Sequence, residues 1–445
     1  MITHSADALE ASSVIANGLS VGSPIATPDM RAAARAAVID IARAAPSHIA
    51  RRGDGSFDPS LGGGAAGVAV FLHYAASALD EADFRAVSID LLDQSLASLH
   101  SLPHSGLYAG YSGVAWAVSH LQQRGVDELD NVDLGDLDAI VETLLGRVPW
   151  QDDYDLITGL VGLGVYGLER MHQGAGEGIV SAVVARLAES VEWLPPGAAW
   201  FHPPWLVPGS QREEYPEGWY NLGVAHGIPG VLAFLARAVQ YDVRRGTAER
   251  LLAAGSSWTC TQVKVVGREQ IRLGYKVNPS APNAPAEFRD AWCYGSPGAA
   301  VALLAAARAL GDDRVGACAL ALARTAAHHD AAQAGVVDAS FCHGSSGLAH
   351  LYARLHAATG EQIFADAAQR WLAHTLTLKT PGEGVGGFCY DAVAGGRRTW
   401  EALSNFLEGA AGTGLVLLSM CSSEPPAWDR AVLADPAPSL QLAAR

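Results

Sequence analysis

Two helical patterns alternate along this chain. In the first, apolar residues occupy nearly every position: Ala299 to Leu310 is Ala, Val and Leu with the single charge of Arg308, as in a helix enclosed on all sides. In the second, apolar residues recur at helical spacing with charges between them, as in Asp83 to Ser101 and Gln362 to Leu378, which reads as an outer helix. Each strongly apolar stretch follows the same short phrase, Gly-x-x-Gly, and the phrase recurs seven times: Gly64 to Gly67, Gly110 to Gly113, Gly159 to Gly162, Gly227 to Gly230, Gly295 to Gly298, Gly344 to Gly347 and Gly409 to Gly412. Successive copies start 46, 49, 68, 68, 49 and 65 residues apart. A loop leading into a helix explains the phrase, because glycine permits close backbone approach and Pro229 and Pro297 suit a first helical turn. Gly311 is a natural C-terminal stop for the helix before it.

A spacing near 50 residues fits one outer and one inner helix per repeat. Seven such pairs predict an all-α protein, an α/α toroid with seven inner and seven outer helices and loops converging at one end. The expected organisation is a loosely ordered N-terminus over 1–30, a barrel domain over 31–423 with small insertions near 195–220 and 261–288, and a tail over 424–445 with partial order at best, since EPPAWDR and ADPAPS show no periodicity. The second insertion alternates β-branched residues around VGRE and suggests a hairpin. The insertions, with the Gly-rich run from Pro381, are either substrate-binding elements at the mouth of the ring or irregular surface loops.

Composition narrows the class. The 445 residues carry 30 Lys plus Arg against 46 Asp plus Glu, a formal charge of −16, with no basic run to track phosphates, so nucleic acid is not an expected partner. Asp7 and Glu10 lie where a signal peptide needs positive charge, and no apolar stretch is long enough for a transmembrane segment. A cytoplasmic protein is expected, with any membrane association arising through a larger complex. Six widely spaced cysteines point to reduced thiols rather than a disulfide framework.

Three of the seven phrases are preceded directly by metal-binding or proton-moving residues: AHG at Ala225 to Gly227, CYG at Cys293 to Gly295 and CHG at Cys342 to Gly344. In a ring these positions are equivalent, so distant residues meet at one end. Cys293, Cys342 and His343 form a donor set that suits Zn²⁺ and leaves one tetrahedral position open, which favours catalysis over a purely structural metal. A lone buried Cys is usually a small hydrophobe, and Cys260, Cys318, Cys389 and Cys421 keep that reading. On residues alone, Asp152, Asp153 and Asp155 read as a solvated loop; they match neither a diphosphate-binding DDxxD pattern nor a pair of opposed glycosidase acids.

The phrases YDLITGLVG, NLGVAHGIPG, RDAWCYGSPG and SFCHGSSG, in this order, resemble the lanthionine synthetase C family, and the resemblance runs from the first glycine phrase to the seventh. It implies a double-ring α/α barrel with a single zinc on Cys293, Cys342 and His343, an acid/base histidine at His226 and an aspartate at Asp155, and further functional positions at Arg289 and Tyr294. The implied activity is a zinc-dependent cyclase that adds peptide cysteine thiols to dehydroalanine or dehydrobutyrine, forming (methyl)lanthionine rings in a dehydrated precursor peptide. Resemblance to the standalone form implies a separate dehydratase and transporter as partners. Two alternatives remain: an enzyme that adds glutathione to dehydroamino acids, and a non-catalytic peptide-binding scaffold.

Overall fold

In all seven Gly-x-x-Gly loops the chain folds back on itself over six residues. A Cβ on the first glycine would meet the carbonyl oxygen of the residue six positions earlier (Asp58, His104, Asp153, Asn221, Arg289, Asp338 or Leu403), and a Cβ on the second glycine would meet that of Leu61, Leu107, Leu156, Val224, Trp292, Phe341 or Phe406. That shared collision is why the phrase needs glycine twice. Gly295 is constrained further by a φ of +97°, in the region only glycine adopts readily. The computed structural model describes residues 25–436 except 53–54, 268–269, 282–285 and 395–396; of the loose N-terminus expected over 1–30, residues 1–24 lie outside the described residues, while Ala26 is buried and a helix starts at Pro28.

Each loop feeds an inner helix: α2 (Ala65–Leu79), α4 (Tyr111–Gln123), α6 (Leu160–Arg170), α8 (Ile228–Gln240), α10 (Ser296–Leu310), α13 (Ser345–Thr359) and α15 (Ala410–Cys421). These are buried on almost every face, and each packs on the next, with α15 returning to α2. The outer ring is α1 (Pro28–Ala44), α3 (Ala82–Ala97), α5 (Gly135–Leu145), α7 (Glu177–Ser190), α9 (Arg245–Thr261), α11 (Asp313–Ala326) and α14 (Gln362–Thr377); a one-turn helix, α12, spans Ala331–Ala334. Helix α1 packs on α15 and so serves as outer helix of the seventh repeat. The all-α double ring predicted from the glycine rhythm is thus the observed fold.

Backbone hydrogen bonds close the ring at the loop end. The N–H of Gly62 donates to Tyr108, Tyr108 to Ile157, Leu156 to Ala225, Ala225 to Cys293, Cys293 to Cys342, Cys342 to Leu407, and Phe406 back to Gly62, at 2.8–3.4 Å. This belt fixes a common register, so residues just before each first glycine share one rim.

The insertions build sheet rather than irregular loop. Strands β1 (Val191–Leu194), β2 (Gly197–His202) and β3 (Trp219–Asn221) come from the first, and β4 (Lys264–Val266), β5 (Gln270–Arg272) and β6 (Lys276–Val277) from the second. Strand β6 pairs with β3, joining both insertions, and β4 with β5 forms the hairpin suggested around VGRE; its residues 268–269 lie outside those described. Strand β3 ends at Asn221 and runs directly into the loop carrying His226. A third hairpin, β7 (Tyr390–Ala394) with β8 (Arg397–Glu401), follows the Gly-rich run.

Residues 424–436 contradict the expected loose tail. Trp428, Asp429, Val432 and Leu433 are buried, with Trp428 only 1% exposed. Its ring lies 5.5 Å from Phe341 and 4.7 Å from His350, while Asp429 pairs with Arg354 at 2.7 Å and His350 at 2.9 Å, and Arg430 with Glu169 at 2.9 Å. Tyr108 and the Trp292 indole donate to the carbonyls of Ala431 and Val432, both at 2.8 Å. The segment plugs the ring beneath the glycine loops, and it lacks periodicity because it fills a hole shaped by other elements. We expect Trp428→Ala to cost about 3–5 kcal/mol, the usual range for an emptied aromatic site, seen as a lower denaturant midpoint. An unchanged midpoint would mean the plug is not part of the core.

Candidate active site

The loop register carries the chemistry. The residue before each first glycine is Gly63, Ala109, Thr158, His226, Tyr294, His343 and Glu408 around the ring, and the residue before that is Gly62, Tyr108, Ile157, Ala225, Cys293, Cys342 and Leu407. All of these from the fourth repeat onward, with Gly62, Gly63, Ile157, Arg289, Trp292 and Asn405, line one open cavity of about 490 Å³.

The fifth and sixth repeats bring Cys293, Cys342 and His343 together, their donor atoms all within 4.8 Å of one another. The bond from the Cys293 N–H to the Cys342 carbonyl, 3.2 Å, locks the two loops side by side. The hydrogen bond from Cys342 holds the Cys293 thiol well below its ordinary range against the opposing effect of burial, with help from His343 and Arg289; the same bond, burial and the Cys293 charge push Cys342 up. Burial works against a charged His343, but its hydrogen bond to Cys293 and the charges of Cys293 and Asp338 outweigh that and raise its pKa. Asp338 braces this loop: one oxygen accepts from the Ser340 N–H at 3.0 Å and hydroxyl at 2.8 Å, the other from the Asp391 N–H at 3.0 Å, and the latter lies 4.0 Å from His343 Nε2.

Two soft thiolates and an imidazole converging from adjacent rigid loops suit a zinc ion, and among the described residues no fourth protein donor completes the set. Negative charge gathered in a buried pair without a cation is unfavourable, so the donor set itself fits the group.

Beside this cluster, His226 Nδ1 bonds Asp155 Oδ2 at 2.6 Å. The other carboxylate oxygen accepts from the N–H groups of Thr158 (2.7 Å) and Gly159 (2.9 Å) at the start of α6, so Asp155 is fixed from behind. Its side chain is 2% exposed against 43% for His226, leaving Nε2 to face the cavity. Burial disfavours the imidazolium, yet the Asp155 hydrogen bond and the charges of Asp155, Asp153 and Cys293 prevail and the His226 pKa is raised. Asp153 is pushed up to about 7 by burial and by its neighbour Asp155. The Tyr294 ring lies 6.3 Å from that of His226, its hydroxyl accepts from Asn221 Nδ2 at 3.0 Å, and burial raises its pKa. Arg289 lines the cavity, and among the described residues its guanidinium has no hydrogen-bond or ion-pair partner.

All seven singled-out residues therefore lie at one rim. Several neighbours escaped the sequence reading: Asn221, Asp338, Asp153 and Glu408, and Asp290, which joins Arg272 (3.2 Å) and His329 (2.5 Å) behind the Cys293 loop. A signal for three of them existed, because Asp153, Asn221 and Asp338 each stand six residues before a first glycine.

The family sequence model described as "Lanthionine synthetase C-like protein" matches residues 55–433. Nisin biosynthesis protein NisC of Lactococcus lactis subsp. lactis is 26% identical over 275 residues, which span 57% of this chain and 63% of that protein. The solved structure of a nisin cyclase matches with a TM-score of 0.68 at 21% identity, over 85% of this chain and 92% of that one, a likeness of fold. No helix among the described residues is long and apolar enough to cross a membrane.

Proposed function

Because the chain belongs to the lanthionine synthetase C-like family, we propose that it is a zinc-dependent lanthipeptide cyclase, closing thioether rings by adding peptide cysteine thiols to dehydroalanine or dehydrobutyrine. The observation that carries this reading is the meeting, around one open cavity, of the Cys293–Cys342–His343 donor set, the His226–Asp155 pair and Arg289. A non-catalytic scaffold has no need of that combination.

Cys293, Cys342 and His343 would hold a zinc ion, whose positive charge would lower the pKa of an incoming thiol from its ordinary value of about 8.5 and so favour the thiolate. Arg289, lining the cavity, offers its guanidinium to the carbonyl oxygen of the dehydrated residue, where negative charge develops as sulfur adds to the β-carbon. His226 Nε2 delivers the proton to the α-carbon, with Nδ1 held on Asp155 so that the ring keeps one orientation. Tyr294, tethered by Asn221, walls the same side. The joined sheet β1-β2-β3-β6 leads into the His226 loop and is placed to guide a peptide, which a separate dehydratase supplies and a transporter later removes.

The test separates the peptide cyclase from a small-thiol transferase. Purified protein is mixed with a peptide carrying one dehydroalanine and one cysteine, with and without glutathione. The expected product is the intramolecular thioether, unchanged in mass and no longer alkylated by iodoacetamide, with the glutathione adduct minor. Adduct formation in preference to ring closure would overturn the peptide reading.

A further inference from the structure

We propose that Glu408 is the proton acceptor for the incoming thiol, a functional side chain on the opposite flank of the Cys293–Cys342–His343 group from His226. This rests on the cyclase reading above.

Position comes first. The residues before the first glycines of the last four repeats are His226, Tyr294, His343 and Glu408, whereas the first three repeats have Gly63, Ala109 and Thr158. The belt hydrogen bond from the Cys342 N–H to the Leu407 carbonyl, 2.8 Å, sets the Glu408 loop against the Cys342 loop just as the bond from Ala225 to Cys293 sets the His226 loop against the other side. Glu408 lines the same cavity as Cys342, His343, Arg289 and His226.

Availability comes second. The other carboxylates of this rim are engaged: Asp155 by His226 and two backbone N–H groups, Asp338 by Ser340 and Asp391, Asp290 by Arg272 and His329, Asp153 by the Asp155 N–H. The Glu408 N–H bonds Asn405 Oδ1 at 2.7 Å, which fixes its backbone, but its carboxylate has no hydrogen-bond or ion-pair partner among the described residues. Unpaired and exposed, it is an acceptor without a donor.

Proton balance comes third. Adding S–H across the double bond removes a proton from sulfur and places one on the α-carbon. His226, its Nδ1 bonded to Asp155, is the donor in the cyclase reading and cannot take the thiol proton in the same event. The S–H bond breaks as an O–H bond forms on Glu408; sulfur keeps the electron pair and makes the C–S bond; the α-carbon takes the proton of His226 Nε2. Glu408 then releases its proton to water and His226 regains one, so no net proton is consumed. The other charged or titratable groups facing the acceptor across the cavity are Arg289, His343, His226, Tyr294 and the two thiols.

Glu408→Gln keeps shape and removes basicity. With the peptide carrying one dehydroalanine and one cysteine, kcat should fall about 100-fold near neutral pH. The deficit should shrink as pH rises, because the bound thiol then loses its proton to solvent without a protein base. Zinc per chain and affinity for an unreactive peptide, alanine replacing dehydroalanine, should match the wild type, and Glu408→Asp should recover part of the rate. Weaker peptide affinity with unchanged kcat would make Glu408 an anchor and overturn the proposal; so would a deficit equal at every pH, lost zinc, or an unimpaired variant. A wild-type protein that adds neither peptide thiols nor glutathione instead refutes the functional reading itself, before any variant is compared.

Discussion

Replacing Cys342 with alanine should abolish zinc binding and ring closure together while leaving the toroid intact. The fold survives because Cys342 is held through its backbone: its N–H donates to Leu407 and its carbonyl accepts from Cys293, and neither bond needs the side chain. What disappears is one of two thiolates in a three-donor set whose atoms lie within 4.8 Å. Loss of a group that merely orients a ligand costs about 10–100-fold in metal affinity, so loss of a ligand itself should cost more than about 100-fold. Elemental analysis of the variant should find little zinc, circular dichroism should match the wild type, and the cysteine–dehydroalanine peptide should remain linear. A variant that closes rings without metal would overturn the mechanism.

The second large effect falls on His226. His226→Gln should retain zinc, since the histidine sits one repeat away from the donors, yet lose about 10²–10⁴-fold in kcat, the usual worth of a positioned acid/base group. Its raised pKa gives the sign of the pH dependence. Below that pKa His226 carries the proton it must donate; above it the proton is gone, so activity falls on the alkaline side. In Asp155→Asn the carboxylate that raises the pKa is removed while burial, which lowers it, remains, and the alkaline limb should move to lower pH. A limb that stays in place would detach Asp155 from His226.

The fold was legible in the sequence where its cause is local and repeated. Each Gly-x-x-Gly marks a place where a Cβ would strike the chain six residues back, so the collision is written seven times in the same letters. The ligand cluster was legible for the same reason, because Cys293 and Cys342 stand two residues before a first glycine and His343 one residue before it. The plug at 427–434 was not: Trp428 and Asp429 are buried by Phe341, His350 and Arg354, partners some 75–90 residues away, and nothing periodic records such a fit. The sheet joining the insertions was half legible. The hairpin around VGRE follows from alternation, but the pairing of Tyr220 with Val277 across 57 residues does not.

His329 and His350 show the limit of reading residue types singly. Both look like ordinary histidines in sequence, yet both are buried against carboxylates, Asp290 at 2.5 Å and Asp429 at 2.9 Å. Asp338 and Asn221 were within reach: once Arg289 is noticed six residues before its glycine, the same offset leads to both, one bracing His343 and the other tethering Tyr294.

The most direct test is X-ray absorption at the zinc edge on purified protein, with and without a cysteine peptide lacking any dehydrated residue. We expect one zinc per chain with two sulfur neighbours and one nitrogen, and a third sulfur replacing a light-atom neighbour when the peptide is added. A metal-free protein, or a first shell in which the peptide thiol never appears, would contradict the account.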